Sequence, residues 1–201
     1  MTNDANGDES VDRLVDAIAV EPPDTEHARR CAGFAAILFD GLAEPCGLAP
    51  ADRDTAVVAA YLHDIGYIRG GRDHHRKSFD VIRELDLPFD RSEDRVVAAC
   101  VARYHGTTMP SIEHAGFQDL VFDDQRRVRR LTGIVRMAVA LDASHLGLVT
   151  SVEVKREDEH LAVVGRASEE PAVERDRLRA AAASMRVLAG LDVRSEIVVR
   201  R

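Results

Sequence analysis

The chain has 201 residues, enough for one domain or one domain with a small appendage, and its 45% apolar and 31% charged content suits a globular core. A formal net charge of −8 argues against a general nucleic-acid or membrane binder, which would show a basic face. The three cysteines, Cys31, Cys46 and Cys100, are widely spaced without a CxxC, and no apolar run or leader-like N-terminus stands out; these features read as a cytoplasmic protein with reduced thiols.

Aromatic residues make up 4% and Trp is absent, so Ala, Val and Leu must fill the core, which favours close-packed helices. Residues 1–9 read as a disordered N-terminus. Val11, Leu14, Val15 and Ile18 have helical spacing after Ser10, an N-cap candidate, and Pro22-Pro23 stops that helix. A second helix is expected from Thr25 to Asp40, with His27 on the same stripe as Cys31, Phe34, Ala35 and Leu38. Gly41 to Pro50 reads as a loop. The third helix, Ala51 to Asp64, carries Ala56, Ala59, Ala60 and His63 on one face, and Gly66 can terminate it. Adjacent helical residues point about 100° apart, so His63 and Asp64 can share a ligand only at a fraying end or between helices.

A Gly-rich loop, Ile68 to Asp73, precedes a helix from His74 to Leu85. Asp90 or Ser92 caps the next, whose stripe of Val97, Cys100, Val101 and Tyr104 closes with His105 before Gly106. After a loop over 106–122, the longest helix is expected from Asp123 to Ser144. Its stripe of Leu131, Ile134, Val135, Ala138 and Leu141 ends in Asp142, with His145 beyond. Arg126, Arg127, Arg129 and Arg130 read as its solvated face. Leu148 to Lys155 and Leu161 to Val164 alternate as a hairpin about a turn at Asp158. A helix from Glu170 to Leu188 and a strand from Glu196 to Arg200 complete a mostly α chain with a small β-β-α-β tail.

His27, His63, His105 and Asp142 thus each sit on or at the end of an apolar stripe, on four different helices, with Asp64 beside one of them. Buried imidazoles and carboxylates are costly singly, and one metal at the bundle centre relieves all of them together.

The order His27, His63-Asp64, Asp142 resembles the H…HD…D signature of the HD superfamily of metal-dependent phosphohydrolases. Four blocks, Tyr61 to Tyr67, His74 to Ser78, Ala102 to His105 with Pro110 after it, and Ala138 to His145, look like the C-terminal HD-type domain of the exopolyphosphatase / guanosine pentaphosphate phosphohydrolase (Ppx/GppA) family. The resemblance implies an HD-type helical bundle over 10–146 and a C-terminal α+β appendage over 147–201 packed on the same core. It implies His27, His63, Asp64 and Asp142 as ligands of one divalent ion (Mn, Fe, Zn, Ni or Co), with His63 and Asp64 the catalytic pair. His74, His75 and His105, with Lys77 and Arg103, would hold a second metal or a phosphate; Arg69 and Arg72 are further basic candidates. The implied activity is hydrolysis of a small phosphate ester, nucleotide or alarmone-like substrate. The alternative is a non-catalytic nucleotide- or polyphosphate-binding regulatory module. A tendency to homodimerise is also implied. Two departures stand out. The family's N-terminal phosphate-binding domains have no counterpart in this sequence, and Lys77 stands where the family often has a histidine.

Overall fold

The computed structural model describes residues 8–157 and 160–199. The helical body comprises α1 (Glu9–Asp16), α2 (Thr25–Cys46), α3 (Asp52–Tyr61), a 3-10 helix (Ile65–Arg69), α4 (His74–Glu84), α5 (Ser92–Arg103) and α6 (Phe122–Ala140). A tail of β1 (Val149–Glu157), β2 (His160–Ala167), α7 (Ala172–Ala189) and β3 (Val193–Val199) follows. The strand order is β1-β2-β3, antiparallel between the first two and parallel between β2 and β3, with α7 as the crossover. The mostly α reading with a small C-terminal sheet therefore holds. No described helix is long and apolar enough to cross a membrane.

The core is built from the small residues that the composition demanded. Leu38 and Leu42 of α2, Ala59 and Ala60 of α3, Val97 and Val101 of α5, and Leu131 and Ile134 of α6 are all buried. All three cysteines are buried and unpaired. The tail shares this core, with Leu178 and Met185 of α7 and Val163 of β2 among its buried side chains.

Several boundaries differ from those the sequence suggests. Residues 1–7 and the expected turn at Asp158 lie outside the described residues, but Asp8 and Glu9 are structured. Asp8, not Ser10, caps α1: its Oδ1 accepts the Ser10 N–H at 2.9 Å, and its carboxylate pairs with Arg53. Helix α2 runs through the expected loop to Cys46, because Leu42 and Cys46 continue the buried stripe. Gly41 reads as a breaker but acts as a contact surface, since a β-carbon there would sit 2.4 Å from the Val154 β-carbon of β1. Strand β3 begins three residues before the expected Glu196, burying Val193 as well as Ile197. Strand β2 extends beyond Leu161–Val164 at both ends.

One ion cluster orients three of these helices. Arg127, expected on a solvated face, is three-quarters or more buried and donates to Asp52 of α3 (2.7 Å), Asp94 of α5 (2.6 Å) and Asp124 of α6 (2.7 Å). Each aspartate lies in the first turn of its helix, where a carboxylate also suits the helix dipole. Arg127 thus ties together the N-terminal ends of α3, α5 and α6. Their C-terminal ends converge on the far side of the body.

Candidate metal centre

At that convergence lie His63 and Asp64 just past α3, His105 just past α5, and Asp142 and His145 just past α6. The first turns of α2 and α4 add His27 and His74-His75. Both α3 and α6 stop earlier than expected, at Tyr61 and Ala140. The early stops are what bring neighbouring residues together. In a continuing helix His63 and Asp64 would diverge, whereas in the turn that replaces it His63 Nε2 lies 3.5 Å from Asp64 Oδ2. Beyond α6 the Asp142 Oδ1 accepts the Gly147 N–H at 2.8 Å, folding the chain back through His145, which adopts a left-handed φ of 63°.

The histidine protons are assigned by their partners. His63 Nδ1 donates to the Ala60 carbonyl at 2.7 Å, and His105 Nδ1 donates to the Ala102 carbonyl at 2.7 Å. His27 Nδ1 faces Asp142 Oδ2 at 2.8 Å. Carbonyls and carboxylates only accept, so these rings carry their proton on Nδ1 and keep a lone pair on Nε2. Yet His27 Nε2 and His63 Nε2 stand 3.2 Å apart. Two lone pairs at that distance repel unless a cation or a proton lies between them. Burial pushes the His63 imidazole down to about 4, partly offset by Asp64, so His63 itself carries no second proton near neutrality. Burial, then the neighbouring His63 and His75, holds His105 well below the usual imidazole range.

Asp64 is the second unsatisfied group. Its Oδ1 is buried without a hydrogen-bond partner, although His74 Nε2 lies 3.4 Å away and His105 Nε2 3.5 Å. The carboxylate therefore lies within 3.4–3.5 Å of His63, His74 and His105 alike. His74, His75 and His105 form a group of their own, with ligand atoms within 4.8 Å of one another. Glycine is needed to assemble it. A β-carbon on Gly66 would meet the His74 carbonyl at 2.2 Å and the Ser78 N at 2.5 Å, and the Gly66 N–H donates to Ser78 Oγ at 2.9 Å. The 3-10 helix carrying Gly66 can press directly on α4 and set His74 beside Asp64.

Asp142 takes a different position from the other expected ligands. Its Oδ2 accepts from His27 Nδ1 and from Arg30 Nε, both at 2.8 Å, so the carboxylate stands behind the His27 ring. Burial alone would raise its pKa, but bonds from His27, Arg30 and Gly147 bring it below the usual value. Lys77 is turned aside: its ammonium donates to the Arg69 and Gly70 carbonyls at 2.8 and 3.0 Å. Arg103 lies over the Phe79 ring and donates to the Ala115 carbonyl, and Arg69 pairs with Glu84. Arg72 is exposed. In this structure Lys77, Arg103 and Arg69 are thus engaged with partners away from the cluster.

Other residues here were not expected from the sequence. His145 stacks on His27 with centroids 3.7 Å apart, and its Nδ1 faces Asp24, the residue that also caps α2. Tyr67 stacks on His74 at 4.2 Å. A cleft of about 380 Å³ opens onto the cluster and is walled by α6 and α7, Arg136 and Arg177 included. A recess of about 150 Å³ bounded by Pro22, Pro23 and Tyr67 reaches the same histidines from another side. His145 stands out in the sequence one turn past Leu141, whereas Arg136 and Arg177 carry no local signal.

Fold and site together define a helical protein with a histidine–carboxylate cluster where five helix ends meet. The sequence matches the family described as Ppx/GppA phosphatase, domain III, over residues 8–177, and the chain belongs to that family. No curated protein matches it.

Proposed function

We propose that the chain is a metal-dependent phosphohydrolase of the HD type, acting on a small phosphate ester, nucleotide or alarmone-like substrate. The single observation that carries this reading is the pair of facing Nε2 lone pairs on His27 and His63, beside the unpartnered Asp64 Oδ1. The donor set fits a divalent ion. Two nitrogens each about 2.1 Å from one ion at a roughly tetrahedral angle lie about 3.2–3.4 Å apart, the separation found here. His27, His63 and Asp64 would hold it, and Asp64 with His74, His75 and His105 offers a second set. Mixed nitrogen and oxygen donors suit Mn, Fe, Zn, Ni or Co. Asp142 acts from behind, holding the His27 proton on Nδ1 and so aiming Nε2 into the site, as carboxylate partners of ligating histidines do.

A divalent ion at such a cluster supplies an acidified water and positive charge for phosphoryl oxygens. The chain's own contribution is preorganisation. The Ala60 and Ala102 carbonyls lock two tautomers, Arg30 and Gly147 fix Asp142, and the C-terminal dipoles of α3, α5 and α6 favour a cation at their meeting point. Membership of a phosphatase family supports phosphate as the reacting group.

The test is elemental analysis of protein purified without added metal, with hydrolysis of a generic phosphoester by wild type and Asp64→Ala. Bound metal and loss of turnover in the variant are expected. A protein that holds no metal, gains no thermal stability from Mn or Zn, and hydrolyses equally well as Asp64→Ala would end this reading. The matched family description is of a single domain, which favours as second reading a nucleotide- or polyphosphate-binding regulatory module; ligand binding without turnover would select it.

A further inference from the structure

The cleft in front of the histidine cluster runs against the charge of the whole molecule. The chain has a formal net charge of −8, yet two arginines line the cleft, Arg136 of α6 and Arg177 of α7, against the single carboxylate of Asp64.

Arg136 is only 7% exposed, and all its partners are neutral: the Tyr104 carbonyl at 2.9 Å, the Thr108 carbonyl at 2.7 Å and the Met109 sulfur at 3.5 Å. Among the described residues no carboxylate lies within ion-pair distance of it. The contrast with Arg127, which burial places beside three aspartates, is direct. A buried guanidinium neutralised only by dipoles has an unmet demand for negative charge, and its forked donors match an oxyanion. Three of its five N–H groups are occupied by those acceptors, which leaves donors for a ligand. Arg177 has no hydrogen bond or ion pair among the described residues, unlike its neighbours Arg175, bound to Glu170, and Arg179, bound to Asp176. The same cleft is lined by Ala140, Ala143, Ala180 and Ala181, which offer no competing charge. Tyr104, whose carbonyl holds Arg136, directly precedes His105 in the chain, so this wall adjoins the cluster.

We propose that Arg136 and Arg177 form an oxyanion subsite that receives a second anionic group of the substrate, a phosphate or a carboxylate, beside the bond that the histidine–aspartate cluster addresses. The substrate class is then a phosphoester bearing a second oxyanion, and the two arginines are specificity-determining residues. The assignment of which bond is cut rests on the hydrolase reading; anion capture by the arginines does not.

The experiment is calorimetric titration of metal-stripped protein with inorganic phosphate and, separately, with acetate. Wild type is expected to bind at least one of them with a Kd tighter than about 10 mM. Arg177→Ala, an exposed change that leaves the fold intact, should weaken that binding at least about fivefold, and Arg136→Lys, which keeps the charge but loses the fork, at least about threefold. Preference for phosphate or for acetate identifies the group the subsite takes. If neither anion binds, or if Arg177→Ala binds as wild type does, the proposal is overturned; should Arg136→Lys not fold, Arg177→Ala decides alone. Wild type that binds phosphate but takes up no metal would remove the hydrolase reading and leave this subsite standing. Metal uptake with anion binding indifferent to Arg177 would do the reverse.

Discussion

The two ends of α3, α5 and α6 hold buried polar clusters of opposite character. At the N-terminal ends Arg127 meets Asp52, Asp94 and Asp124, and each contact pairs opposite charges at 2.6–2.7 Å. Burial by itself would lower the Arg127 pKa, but the three carboxylates hold it above the usual arginine value. At the C-terminal ends like groups face like groups: Nε2 against Nε2, and an Asp64 oxygen with no donor. The first cluster is complete as folded and holds helices together. The second is incomplete as folded, and a cation would complete it. Equal burial and equal polarity therefore carry opposite meanings, and the partner inventory distinguishes them.

The largest effect is expected where the complete cluster is broken. Arg127→Met leaves buried carboxylates uncompensated and should cost about 3–5 kcal/mol, read as a fall of about 10 °C or more in thermal midpoint. A change of under about 1 kcal/mol would mean that the helix ends are held by apolar packing alone.

Acidification should strike the other end. His63 titrates at about 4 in the fold against 6.5 when unfolded, because burial disfavours its charged form. Between those values the unfolded chain binds more protons than the native one. Stability is therefore full above about pH 6.5 and declines as pH falls toward 4, by on the order of 3 kcal/mol for this group. Denaturant midpoints of metal-stripped protein across that range would measure it. His63→Gln should reduce the slope, with the remainder coming from His105, which burial also holds well below the usual imidazole range.

Gly66→Ala probes the scaffold between the clusters. The added methyl must displace backbone of α4, at a cost of about 2 kcal/mol, and it should move His74 from Asp64 and lower hydrolytic activity out of proportion to stability. Unchanged activity in a folded variant would show that α4 contributes no working group.

The smallest stability change should come from Asp64, the residue proposed to hold the ion. Asp64→Asn, in metal-free protein, should alter stability by less than about 0.5 kcal/mol, because no hydrogen bond to Oδ1 is lost. The same variant should lack the thermal stabilisation that Mn or Zn is expected to give wild type. A strong destabilisation without metal would put Asp64 in the structural class with Asp52 and Asp94.

Much of the site was legible because an imidazole or carboxylate on an apolar stripe contradicts helical periodicity. That contradiction marks His27, His63, His105 and Asp142 in the sequence alone. The roles within the set were less legible. Asp142 and Asp64 are the same residue type at similar helix ends, and only the fold shows one bonded to His27 and Arg30 and the other without a donor. Arg127 sat in a run of arginines that reads as a solvated face. Its burial depends on three aspartates at separations up to 75 residues, and no local pattern encodes that.

By itself the sequence determined the helical body, the small sheet and the residues that gather at the centre, since periodicity and burial cost are local properties of the chain. The tertiary structure alone decided where α3 and α6 stop, that Lys77 and Arg103 turn away, and that α7 brings Arg177 to the cleft beside Arg136. Those outcomes depend on which distant atoms satisfy each polar group, and such partners exist only once the helices have packed.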